Sequence, residues 1–152
     1  MTSYERVAAA LEHREPDRVP FDIGGSVLTG MNRHAYRRLR EYLGLPRREE
    51  KLVDEIQQVA RIDDDVAQRL AVDVMCVDPD PPAKDGLARP AVRDGEYYRM
   101  VDEWGITWRM PVDGGHYFDM TEHPLSGVDS LEAIESFAWP DSCRCPHSEL
   151  KI

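Results

Sequence analysis

The stretch from Met1 to Gly25 limits what this chain can fold into more than any other. It reads as a short capped helix, a proline-bounded turn and a buried strand that runs into a glycine pair. Thr2 and Glu5 have the spacing of a capping box, in which the hydroxyl and the carboxylate each satisfy an orphan backbone donor. Tyr4, Val7, Ala8 and Leu11 recur at helical spacing and predict one apolar stripe. Pro16 and Pro20 stop the helix, and Val19, Phe21 and Ile23 alternate as a strand does.

Further along, Asn32 can cap a second helix with apolar positions Ala35, Leu39, Tyr42 and Leu43, stopped by Gly44 with Pro46 beyond it. Leu52 to Val59 reads as helical or mixed. Asp63, Asp64 and Asp65 suit the positive end of a short helix through Val66 and Leu70. Val72 to Val77 is a nearly continuous apolar run, the pattern of a parallel strand covered on both faces. Pro79, Pro81 and Pro82 then exclude helix. Asp94-Gly95 and Gly114-Gly115 predict turns of a three-stranded antiparallel segment with strands at Tyr97 to Val101, Ile106 to Met110 and His116 to Met120. Ser130 caps a last short helix through Leu131 and Ile134.

Four blocks in this order, Ser3 to Gly25, Thr29 to Leu45, Leu70 to Asp80 and Asp102 to Pro140, resemble the start of the uroporphyrinogen decarboxylase superfamily, which includes corrinoid-linked methyltransferases. The resemblance implies an α/β fold, the N-terminal part of a (β/α)8 barrel with an antiparallel insertion after the second strand. Such a barrel needs roughly 250 residues or more, against 152 here. The expectation is therefore a truncated barrel segment over residues 1–141, with the insertion at 86–120 and a divergent tail at 142–152. Val19 to Ile23 and Val72 to Val77 should lie side by side and parallel. A site built from two strands of eight is not expected to catalyse alone, and its uncovered barrel edge is expected to favour self-association.

The decarboxylase branch of the family carries an Arg-Gln-Ala-Gly-Arg-Tyr motif, whose guanidinium groups suit the carboxylates of a tetrapyrrole. Anchored on Tyr36 to Arg40, that motif falls on Val27 to Asn32, and only its glycine, Gly30, survives. Loss of both arginines favours corrinoid-linked methyl transfer as the parent activity. Uroporphyrinogen III decarboxylation is the alternative, and a non-catalytic remnant or interaction module is a third reading. The resemblance places a catalytic aspartate at Asp80, with Asp78 two residues earlier, although Asp78-Pro79-Asp80-Pro81 also suits a plain turn. Asp22 is a polar group suited to a barrel mouth, and Gly24-Gly25 allows either a tight turn or close approach of a ligand. His116 and Tyr117 could reach such a mouth, although a lone hairpin histidine is more often structural. Partners implied for an intact relative are a tetrapyrrole or a corrinoid protein, and the cofactors are a corrinoid (cobalamin) or zinc, neither expected on this chain alone.

Trp104 and Trp108 are expected to build the hairpin's own small core. Cys143, Cys145 and His147 offer three donors without a second half, too few for a structural zinc site. No phosphate-binding, dinucleotide or serine-nucleophile motif occurs. Twenty-nine acidic against 19 basic side chains give a formal charge of −10, which repels nucleic-acid backbones. Arg33, Arg37, Arg38 and Arg40 form one basic cluster, expected to be a solvated helix face. Three cysteines make no secreted disulfide framework, and no apolar run reaches membrane-spanning length, so a cytoplasmic protein is expected.

Overall fold

Thr2 opens helix α1 (Ser3–Leu11) with a reciprocal cap. Its hydroxyl accepts from Glu5 N at 3.2 Å, and the Glu5 carboxylate accepts from Thr2 N at 2.8 Å. The computed structural model describes residues 1–77 and 89–139. The chain divides into two compact units, Met1–Asp78 and Pro79–Ile152. The expected apolar stripe of α1 faces inward only in its middle: Val7 and Ala8 are half-buried, Tyr4 and Leu11 are exposed, and the buried positions are Arg6 and Ala9. Arg6 turns inward because its carboxylate partners lie there, at Asp17 and at Asp73.

In the first unit, β1 (Met31–Asn32), β2 (Leu52–Asp54) and β3 (Val59–Ala60) form a small antiparallel sheet in the order β1-β3-β2. The helix or mixed structure expected over Leu52 to Val59 is thus a hairpin. Asp54 Oδ1 accepts from Gln57 N at 2.8 Å, and Gln58 closes the turn with a φ of 55°. Helix α2 (Arg33–Tyr42) starts on the Asn32 side chain, which accepts from His34 N, and ends at Gly44, whose φ of 69° suits a residue without Cβ. Its inward face is not quite the expected one: Ala35 and Tyr42 are exposed, while Tyr36 and Arg40 are buried. Helix α3 (Asp64–Arg69) begins with the acidic run. Tyr36, Ala60 and Val66 make the core, packed by Met31, Leu39, Leu43, Leu45, Ile62 and Leu70.

Residues 19–23 and 72–77 are not strands, so the two-stranded parallel ladder expected of them is absent. The two segments nevertheless lie side by side. Asp73 N donates to Phe21 O at 2.8 Å, Arg18 donates to Ala71 O at 2.9 Å, and Gly25 approaches Val74. Contacts advance together along both segments, so the two run in the same direction. A ladder fails because the Phe21 N–H goes to the Asp73 carboxylate, at 2.9 Å, instead of to a backbone carbonyl. Burial on both faces also fails, since Met75 and Val77 are exposed.

The second unit is a four-stranded antiparallel meander of β4 (Arg89–Asp94), β5 (Tyr97–Val101), β6 (Thr107–Pro111) and β7 (Asp119–Glu122), followed by α4 (Leu131–Glu135). One more strand is present than expected, because Arg89–Asp94 pairs with β5 ahead of the Gly95 turn. The last strand starts at Asp119, so His116 and Tyr117 belong to the preceding connection. Ser130 caps α4 by accepting from Ala133 N. The protein is a mixed α/β chain whose two sheets are both antiparallel, and no barrel sheet forms among the described residues.

Candidate functional site

Three of the sequence-selected residues, Asp22, Gly25 and Gly30, share one loop that closes on itself between the first extended segment and β1. Asp22 Oδ1 accepts from Gly25 N at 2.8 Å, and Gly24 N donates to Thr29 O at 2.9 Å. Ser26 and Thr29 cap each other around a single 3-10 turn, Val27–Thr29. Each glycine is required by close packing. A Cβ on Gly25 would stand 2.5 Å from Asp22 Oδ1 and 2.6 Å from Val74 Cγ1, and one on Gly30 would overlap Val59 Cγ1. The glycine pair therefore serves the turn, and it also brings the loop against the 72–77 segment. Asp22 Oδ2 accepts no hydrogen bond from the described residues, so one carboxylate oxygen stays available at the loop.

The positions that carry arginines in the decarboxylase motif are half-buried Val27 and Met31. Nearby Arg33 is committed elsewhere: it donates to Gln58 Oε1 and Glu50 Oε2, each at 3.2 Å. Arg37 joins it on Glu50 at 2.8 and 2.9 Å. Hydrogen bonds from Arg37 and then Arg33 hold the Glu50 carboxyl at about 2, below the ordinary 4.5. Arg40 is buried against Asp63 at 2.8 Å and Asp65 at 2.9 Å. The expected solvated basic face is thus largely an ion-paired one, because acidic residues of the β2 approach and α3 fold onto it. Such a loop can accept an N–H through Asp22, and it offers no guanidinium to a polyanion.

A second polar centre went unread in the sequence. The Asp73 side chain is fully enclosed and accepts from Arg6 at 2.6 Å, Arg18 at 2.6 Å and Phe21 N at 2.9 Å. The Phe21 N–H, with Arg18 and Arg6 behind it, holds its carboxyl well below the usual aspartate range. Asp17 is lowered in the same way by Arg6. With every direction satisfied, this centre clamps α1 to the 71–73 segment. Its sequence signal was an arginine at a core-facing helical position, Arg6 one turn from Ala9; Arg40, one turn from Tyr36, marks the Asp63 and Asp65 pair in the same way.

Asp78 and Asp80 lie outside the described residues, as do Cys143, Cys145 and His147. His116 is exposed in the second unit. There, Asp102 organises the β5–β6 connection: Oδ1 accepts from Trp104 N and Ile106 N, and Oδ2 from Trp108 Nε1, all at 2.9 Å. Trp104 meets Trp139 edge-on, 6.2 Å between ring centres, but both are exposed, and the buried apolar residues of this unit are Met100, Met110 and Phe118 in place of the expected tryptophan core. Among the described residues, no group of three or more His, Cys, Asp or Glu side chains is placed to hold a metal ion. No protein-family model, curated protein or solved structure matches this chain. No helix among the described residues is long and apolar enough to cross a membrane.

Proposed function

We propose that the first unit is the opening of a barrel enzyme of the uroporphyrinogen decarboxylase superfamily, with corrinoid-linked methyl transfer as the parent activity. One observation carries this reading. Two neighbouring segments, around Phe21 and Asp73, run in the same direction, and the first ends in a tightly packed glycine loop beside the second. In barrels, loops that follow neighbouring strands on one end build the active site.

The composition of the loop favours methyl transfer over decarboxylation. A tetrapyrrole carrying many carboxylates needs guanidinium partners, and Val27 and Met31 supply none. A corrinoid carries an apolar ring rimmed by amides, which suits the free Asp22 oxygen and the exposed apolar side chain of Leu28. When bound, it supplies the carrier of the methyl group. The described residues do not fit zinc, since they hold no suitable donor group.

Titration of the folded chain with hydroxocobalamin and with coproporphyrinogen tests the reading. The expected result is a saturable change in corrinoid absorbance that weakens in Asp22→Ala, with no binding of the porphyrinogen. Tight porphyrinogen binding would overturn methyl transfer in favour of decarboxylation. Binding of neither ligand would support a non-catalytic interaction module.

A further inference from the structure

Buried and half-buried arginines in the first unit have close carboxylate partners: Arg6 at 2.6 Å from Asp17, Arg33 at 3.2 Å from Glu50, and Arg40 at 2.8 Å from Asp63. Two arginines of the second sheet break that pattern. Arg99 on β5 and Arg109 on β6 are direct cross-strand partners. Side chains opposite one another in an antiparallel pair emerge on the same face, from Cα atoms about 4.5–5.5 Å apart. Arg99 donates one hydrogen bond, to Thr107 Oγ1 at 3.3 Å, and has no carboxylate partner among the described residues. Arg109 approaches Asp94 at 3.9 Å, beyond hydrogen-bonding distance, and its Nε is shut off from solvent without a partner. Across the sheet the row runs Val92, Arg99, Arg109, Asp119, so one carboxylate stands at its margin and none between the guanidinium groups.

Like charges placed directly opposite in a sheet destabilise it. Here they persist in a chain with ten more acidic than basic side chains, so carboxylates to neutralise them are not scarce. We propose that Arg99 and Arg109 form a binding site for a small oxyanion, a carboxylate or phosphate group of a ligand. Guanidinium forks match both groups in shape, and two forks on adjacent strands can converge on one group. The Arg109 side chain keeps 39% of its surface exposed, so its terminal guanidinium nitrogens, and not the enclosed Nε, are the donors that a ligand meets. Asp94 and Asp119 at the edges oppose extended polyanions and leave room for one compact charge.

The full-length chain, titrated with inorganic phosphate and separately with succinate against sodium chloride of equal ionic strength, tests this by calorimetry and thermal unfolding. At least one of the two anions should bind saturably and raise the melting temperature above the chloride control. A response to phosphate alone or to succinate alone identifies which oxyanion is recognised. Arg99→Gln and Arg109→Gln should each weaken binding by about tenfold or more, and Arg99→Lys, which keeps the charge without the fork, should fall between. Without added anion, both glutamine variants should melt no lower than the parent, since each removes a like-charge contact. Absence of saturable binding, equal responses in parent and variants, or variants that melt well below the parent without anion would each overturn the proposal.

Discussion

Glu50 shows how much of the first unit rests on single carboxylates. Its side chain is nearly enclosed and bridges Arg33 and Arg37, which ties the chain just ahead of β2 to the start of α2. Its folded value, about 2, lies below the ordinary 4.5. The stabilisation it gives is therefore complete above 4.5 and is lost as pH falls towards 2. Asp17, Asp65 and Asp73 are shifted in the same direction by their arginine and backbone partners, so acid should weaken the unit through several groups at once. Melting temperature followed from neutral pH downward should fall across that window. Glu50→Gln should melt lower than the parent at neutral pH and show a shallower acid limb. An unchanged limb in that variant would mean that Glu50 carries no folded-state shift. None of these pairs was legible in the sequence, because each partner lies 11 to 67 residues from the other and only the fold brings them together.

Elements whose signals are local were legible. The Thr2–Glu5 box, the Asn32 cap, the Gly44 stop and the Ser130 cap all act within four residues, and strand β5 was legible over its whole length. The β2–β3 hairpin was not, since its turn places Gln58 in the left-handed region that glycine or asparagine usually announces. The candidate loop was half legible. Asp22, Gly25 and Gly30 were selected, but the reason Gly30 must be glycine is Val59, supplied by the unread hairpin. Val59 is itself buried and has little room to retreat. Gly30→Ala should therefore cost about 1–3 kcal/mol through overpacking, measured by urea unfolding. Gly44→Ala has open space around its Cβ and pays only for its left-handed φ. It should cost about 1–2 kcal/mol, and restoring stability by Val59→Ala should work for Gly30→Ala alone.

At the scale of the molecule, the first unit leaves unusual apolar area in water. Leu28 is 95% exposed, Tyr4 and Val19 82%, and Leu11, Met75 and Val77 are at least three-quarters uncovered. The sequence pattern assigned most of these to a buried stripe or strand, because apolar periodicity records what a residue type favours and not what stands opposite it. Covering one such side chain is worth about 1.5–3 kcal/mol, whereas association costs about 4–15 kcal/mol in lost freedom. Burial of four or five of them between two copies is enough to offset much of that cost. The formal charge of −10 opposes the approach, and salt screens it. Association should therefore rise with protein concentration and rise further between low and physiological salt. Sedimentation velocity across a concentration series checks both trends, and Leu28→Ser should shift the distribution toward monomer with no loss of melting temperature, since Leu28 packs on almost nothing in the single chain. A monomer at every concentration and salt level would show that this exposed surface has no affinity for itself.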